Sequence, residues 1–114
     1  MSLDVYLKVV QPVDVFCFNI THNLNKMAME VKLSNGMSLY DVLWRPDEHK
    51  GLELARDIAD LLSEGYDALV DNPSFYKKWN PENGWGTYEG LLDFVQAYRD
   101  ACIEYPEATL DISR

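Results

Sequence analysis

The chain has 114 residues, 47% hydrophobic and 25% charged, which describes one soluble globular domain over 1–114 and excludes a disordered or collagen-like chain. No apolar run reaches the ~20 residues of a membrane helix. The opening MSLDVYLKVVQP lacks the apolar core of a secretory signal, so a cytoplasmic location is expected. Nineteen Asp and Glu against ten Lys and Arg leave a formal charge of −9. That charge opposes direct binding to nucleic acid or anionic membrane, and it favours a basic protein as partner.

The first twenty residues favour strands. Leu3, Val5, Leu7 and Val9 alternate with Asp4, Tyr6 and Lys8, the period of a half-buried strand. Gln11-Pro12-Val13-Asp14 interrupts the run, and Val15, Phe16, Cys17, Phe18 and Ile20 form a second β-rich segment, so a hairpin is predicted. Thr21 is placed to cap a helix over 22–33, with Leu24, Met27, Ala28 and Val31 on one face and Ser34-Asn35-Gly36 as its stop. Ser38 and Asp41 form a capping box opening a short helix to Leu43 or Trp44, which Pro46 closes.

The clearest helix spans 50–71. Its apolar stripe runs through Leu54, Ala55, Ile58, Leu61, Leu62, Gly65, Tyr66 and Leu69. Asn72-Pro73 starts another short helix with Phe75, Tyr76 and Trp79, followed by a turn-rich loop over 80–86. Thr87 caps a last helix with Leu91, Phe94, Val95, Tyr98, Ala101, Cys102 and Tyr105 inside, ending at Pro106. Ala108 to Ser113 alternates again and adds a third strand. The order β-β-α-α-α-α-β predicts an α+β fold: a small, mostly antiparallel sheet, made of the N-terminal hairpin and a C-terminal strand, covered by about four helices.

Several strings carry a resemblance: LDVYL at 3–7, NITHNLNKMA at 19–28, LWRPDE at 43–48 and NPENGWGTYEGLLDFVQAY at 80–98. They resemble a family of small uncharacterised bacterial proteins, some from phage or prophage gene neighbourhoods. The resemblance spans most of the chain and implies a phage-linked accessory role. The family has no established activity, so no site residue is carried over. Glu30 to Met37 is longer than the helix-to-helix link of that family.

Catalytic and cofactor motifs are absent: there is no GxSxG, HExxH, P-loop or GxGxxG, and no cofactor is expected. His22 lies in Asn19-Ile20-Thr21-His22-Asn23, at a strand-to-helix junction where side chains and free N–H groups can meet a ligand. Helix capping by Asn19, Thr21 and Asn23 explains the same residue types. Catalysis here needs His22 within hydrogen-bond reach of a carboxylate such as Glu89. His22, Asp47, Glu48 and His49 match no zinc or calcium spacing, so no metal site is expected. Cys17 and Cys102 lie in apolar stretches without a CxxC pair and read as buried free thiols.

Two further features point to binding. Trp44, Arg45, Trp85, Tyr88 and Glu89 combine interface-type aromatics with polar handles, so a pocket of Trp44, Trp85 and Tyr88 with Arg45 and Glu89 is one reading. The plainer one is a packed loop with Trp85 in the core. On the long helix, Glu53, Asp57, Asp60, Glu64, Asp67 and Asp71 recur at spacings of 4, 3, 4, 3 and 4, one stripe opposite the apolar one. An ordinary solvated face is one reading, and a docking surface for a basic protein is the other. The leading expectation is a non-enzymatic interaction domain acting through this stripe or the Trp-rich loop. The alternative is a small-ligand or metal-binding domain centred on His22, Arg45 and Trp85. Oligomeric state stays open, because an uncovered sheet edge can pair with a second copy.

Overall fold

The apolar alternation of the first strand sorts its side chains to two faces. A computed structural model describes residues 2–8, 14–81, 84 and 86–113, with the backbone alone for 14–18. In β1 (Ser2–Lys8), Leu3, Val5 and Leu7 are fully buried, whereas Asp4, Tyr6 and Lys8 stay partly exposed. β2 (Asp14–Thr21) pairs antiparallel with β1, as does β3 (Thr109–Ser113), giving the order β2-β1-β3. β1 is therefore the central strand, hydrogen-bonded along both its edges. The predicted turn over 9–13 lies outside the described residues.

The helices are α1 (Asn25–Met29), α2 (Leu39–Trp44), α3 (Ala55–Asp71), α4 (Pro73–Lys77) and α5 (Tyr88–Glu104). Among the described residues this is an α+β fold of a three-stranded antiparallel sheet and five α-helices. α5 turns Leu91, Phe94, Val95, Tyr98 and Cys102 fully inward. Burial of such a side chain is worth about 1.5–3 kcal/mol. α3 runs antiparallel beside α5: Arg56 N–H, at its start, donates to Pro106 O just beyond α5 at 3.0 Å, while the Tyr88 hydroxyl at the start of α5 donates to Leu69 O near the end of α3. Gly65 admits α2 closely, since a Cβ there would sit 2.8 Å from Leu39 Cδ1. No described helix is long and apolar enough to cross a membrane.

Three boundaries differ from the sequence reading. The helix predicted over 22–33 is a 3-10 turn at His22–Leu24 followed by α1, which stops at Met29. Beyond it the chain is extended: Leu33 N–H donates to Met37 O at 2.8 Å and Leu39 N–H to Val31 O at 2.9 Å, around a turn with Gly36 at φ +91°. Leu24, Met27, Ala28 and Val31 are all buried as the stripe requires, but Val31 gets there on extended backbone. The long helix starts at Ala55 rather than 50, because Leu54 bridges Thr109 and Leu110 N–H donates to Glu53 O at 3.1 Å. Asn72 makes no side-chain cap, although Pro73 opens α4 as predicted. A 3-10 turn at Pro46–Glu48 adds a short element.

α2 follows its capping box closely. Ser38 N–H donates to Asp41 Oδ2 at 2.9 Å, and Asp41 N–H donates back to Ser38 Oγ at 3.4 Å. Thr87 caps α5 by accepting from Gly90 N–H at 3.0 Å. Cys102 is a free, fully buried thiol whose pKa burial pushes up to about 12. The side chain of Cys17 lies outside the described residues.

Candidate functional site

The β2–α1 junction presents His22 because Thr21 ends the strand. Thr21 stays extended (φ −67°, ψ 141°) and its hydroxyl accepts from Asn23 N–H at 3.3 Å, turning the chain into the 3-10 helix. One side of the His22 ring meets Trp44 edge-on, with centroids 6.2 Å apart. Its Nε2 is buried and has no hydrogen-bond partner among the described residues.

A second segment comes up against this junction. After α4 the chain turns with Trp79 N–H on Tyr76 O at 3.0 Å and Asn80 N–H on Lys77 O at 3.1 Å. Asn80 Oδ1 accepts from Tyr88 N–H at 2.8 Å, which ties the turn to the start of α5. Gly86, at φ +110°, lies so close to the junction that a Cβ would be 2.8 Å from Thr21 Cγ2 and 2.9 Å from Leu24 Cγ.

Between the two segments is an open cleft of about 560 Å³. His22, Asn23, Asn25 and Lys26 line one side, and Lys78, Trp79, Asn80 and Pro81 the other. No described Asp or Glu lines it. The sequence reading found His22 and Asn23 but missed the lysines, Asn25, Trp79 and Asn80. The two segments are more than fifty residues apart, so no local spacing joins them. Trp79 reads in the sequence as part of the apolar face of α4, but it lies past the helix end and is 37% exposed.

The structure does not bring the remaining pocket candidates into this cleft. Trp44 is buried and stacks on Tyr40 at 5.5 Å. Arg45 donates from Nε to the Tyr40 hydroxyl at 3.1 Å and pairs with Glu48 at 3.0 Å, and the Tyr40 bond leads in raising its pKa. Tyr88 is buried with its hydroxyl on Leu69 O, and desolvation raises its pKa. Glu89 is exposed and pairs with Lys77 at 3.4 Å, not with His22, so the carboxylate–imidazole pair needed for catalysis is not formed. An open pocket walled by Trp44 and Tyr88 is thus replaced by core packing, since both rings are enclosed. Asn19 is exposed opposite Asp4 in the ladder. Trp85 lies outside the described residues.

The four residues weighed for a metal disperse as well. His49 Nε2 lies 3.5 Å from Asp41 Oδ1, and Glu48 holds Arg45. Asp47 lines a different cleft of about 420 Å³ with Glu53, Asp111 and the apolar Leu52, Leu110 and Ile112. Among the described residues no three His, Cys, Asp or Glu side chains are grouped to hold a metal ion.

The acidic stripe is only partly free. Glu53 precedes α3 and is not helical. Asp57 closes the N-terminus of α3, accepting from Leu54 N–H at 2.8 Å and Glu53 N–H at 3.1 Å, which suits a carboxylate at the positive end of the helix dipole. Glu64 accepts from the backbone N–H and the hydroxyl of Ser34. Asp60, Asp67 and Asp71 are exposed, and no cation among the described residues pairs with them. The helical acids from Asp57 to Asp71 span about 21 Å at 1.5 Å per residue. Val70, beside Asp71, is 47% exposed. No protein family, curated protein or solved structure matches the chain.

Proposed function

We propose that this chain is a non-enzymatic interaction domain that binds a basic protein along the exposed face of α3. The observation that carries this reading is the row Asp60, Asp67 and Asp71: three solvated carboxylates on one helix face with no partner cation among the described residues. Like charges at helical spacing repel by a few tenths of a kcal/mol per pair, a cost that an incoming cationic surface removes. Five of the chain's ten Lys and Arg residues are committed elsewhere: Lys8, Arg45, Arg56, Lys77 and Arg99 each pair with another carboxylate. Val70 supplies an apolar contact next to the charged row. Electrostatic complementarity of this kind accelerates encounter and selects the partner more than it adds affinity.

The same reading includes a cytoplasmic setting, and a phage-linked accessory role that rests on the sequence resemblance. A partner that itself binds nucleic acid has the Lys- and Arg-rich surface such a carboxylate row complements. The test is affinity capture from the native host at low and high salt, with wild type beside a variant carrying Asp60→Lys, Asp67→Lys and Asp71→Lys. A basic protein retained by wild type, released by salt and lost by the variant is expected. Equal retention by both removes α3 from the account.

A further inference from the structure

We infer that the cleft between the β2–α1 junction and the turn after α4 binds a free mononucleotide, with its phosphate held by Lys26 and Lys78 and its base laid against Trp79. The inference concerns a different surface from the α3 face and stands independently of it. Charge is the first argument. In a chain of formal charge −9, this cleft is lined by two ammonium groups and by no described carboxylate. Among the described residues neither Lys26 nor Lys78 has a carboxylate partner, in contrast to the five cations paired elsewhere. The Lys78 ammonium itself lies over the Phe75 ring, 5.2 Å from its centroid, a cation–π contact that fixes the charge and leaves its N–H groups away from the ring to donate. A phosphate monoester, near two negative charges with strong acceptor oxygens, matches a pair of ammonium donors.

Size and shape exclude a bare anion as the natural occupant. The cleft holds about 560 Å³, within the ~300–1,000 Å³ of small-molecule sites and far beyond one phosphate. Trp79, a residue 37% exposed, lines it and brings an indole, a flat surface on which a base can stack. His22 also lines the cleft, although its Nε2, which has no partner among the described residues, is itself enclosed by protein. The amides of Asn23 and Asn25 supply both donors and acceptors for a base edge or ribose. The remaining surface, strongly acidic, repels a longer polyanion, so the occupant is a free nucleotide rather than a strand.

The experiment is a titration of the isotopically labelled full chain with AMP, UMP, adenosine and inorganic phosphate, followed by amide and indole NMR shifts. Either nucleotide is expected to move the backbone amides of 22–26 and 78–80 and the indole N–H of Trp79. Adenosine and phosphate are each expected to bind at least tenfold more weakly. Lys26→Glu combined with Lys78→Glu changes two exposed side chains, and it should weaken the nucleotide at least tenfold while the rest of the spectrum stays unchanged. Trp79→Ala should weaken the nucleotide but not phosphate. No shift at millimolar nucleotide overturns the inference, and so does unchanged affinity in the lysine double variant. Phosphate binding as tightly as the nucleotide overturns the role of the base. A 5′-phosphorylated oligonucleotide binding more tightly than either mononucleotide overturns the choice of a free ligand.

Discussion

The hydroxyl of Tyr88, in the first turn of α5, donates to the carbonyl oxygen of Leu69, in the last turn of α3. Leu69 is among the final four residues of its helix, whose carbonyls have no acceptor role within the helix. The bond therefore satisfies a buried orphan and locks together the ends of two antiparallel helices. Tyr88→Phe leaves that carbonyl unpaired, and a loss of about 1–3 kcal/mol is expected from urea unfolding. Glu89→Gln, one residue on but exposed, should change stability by less than about 1 kcal/mol.

The two glycines flanking position 85 should behave differently. Gly86 has φ +110° and its added Cβ meets Thr21 and Leu24, whereas Gly84 has φ +76° with nothing within 4 Å. Gly86→Ala combines backbone strain with overpacking, and a cost of about 2 kcal/mol or more is expected. Gly84→Ala bears only the left-handed penalty of about 1 kcal/mol. Thermal unfolding of the pair checks the difference, and equal losses would contradict the close approach of Gly86 to the β2–α1 junction.

Acid stability depends in part on Asp41. Burial pushes its pKa up, but the backbone N–H and hydroxyl of Ser38, together with His49, outweigh burial and leave it below its ordinary 3.8. A depressed folded-state pKa contributes stability above the unfolded value, and that contribution is lost as pH falls below 3.8 through the folded-state value. Ser38→Ala should cost about 1 kcal/mol at neutral pH. It should also make the fall in stability on acidification shallower, as followed by denaturant titration at each pH.

Alkaline stability depends on Cys102, with the opposite sign. Burial raises its thiol pKa from 9.0 to about 12, so above pH 9 the unfolded chain releases a proton that the folded chain keeps. Stability should fall by about 1.4 kcal/mol per pH unit from pH 9 towards 12. Tyr98, whose pKa burial raises well above 10.0, adds to the fall at higher pH. Cys102→Ala should flatten the profile between pH 9 and 10, and in the folded wild type the thiol should resist alkylation at pH 8.

Local signals in the sequence carried most of the fold. The Ser38–Asp41 box sets the start of α2 and Pro46 its end to within a residue, Thr87 sets the start of α5, and the alternation at 108–113 places β3. Failures came where distant backbone decided the outcome. Glu53 and Leu54 continue a helical apolar pattern, yet β3 captures them in an extended bridge. Val31 fits the stripe of α1, yet its carbonyl is taken by Leu39 N–H across a turn. The cleft was half legible for the same reason. His22 and Asn23 stand out beside a cap, whereas Lys26, Lys78 and Trp79 become neighbours only when the turn after α4 folds back.

Whether the α3 face itself recruits a basic partner is tested most directly by moving the same charge change around the surface. Asp60, Asp67 and Asp71 are changed to Lys in one variant, and Glu48, Asp93 and Glu104, also exposed, in another. Both variants shift the net charge equally, so a general electrostatic attraction weakens identically in the two. The affinity of the captured partner, measured by calorimetry at low salt, is expected to fall at least tenfold in the α3 variant and far less in the other. Equal losses in both would contradict a localised site on α3.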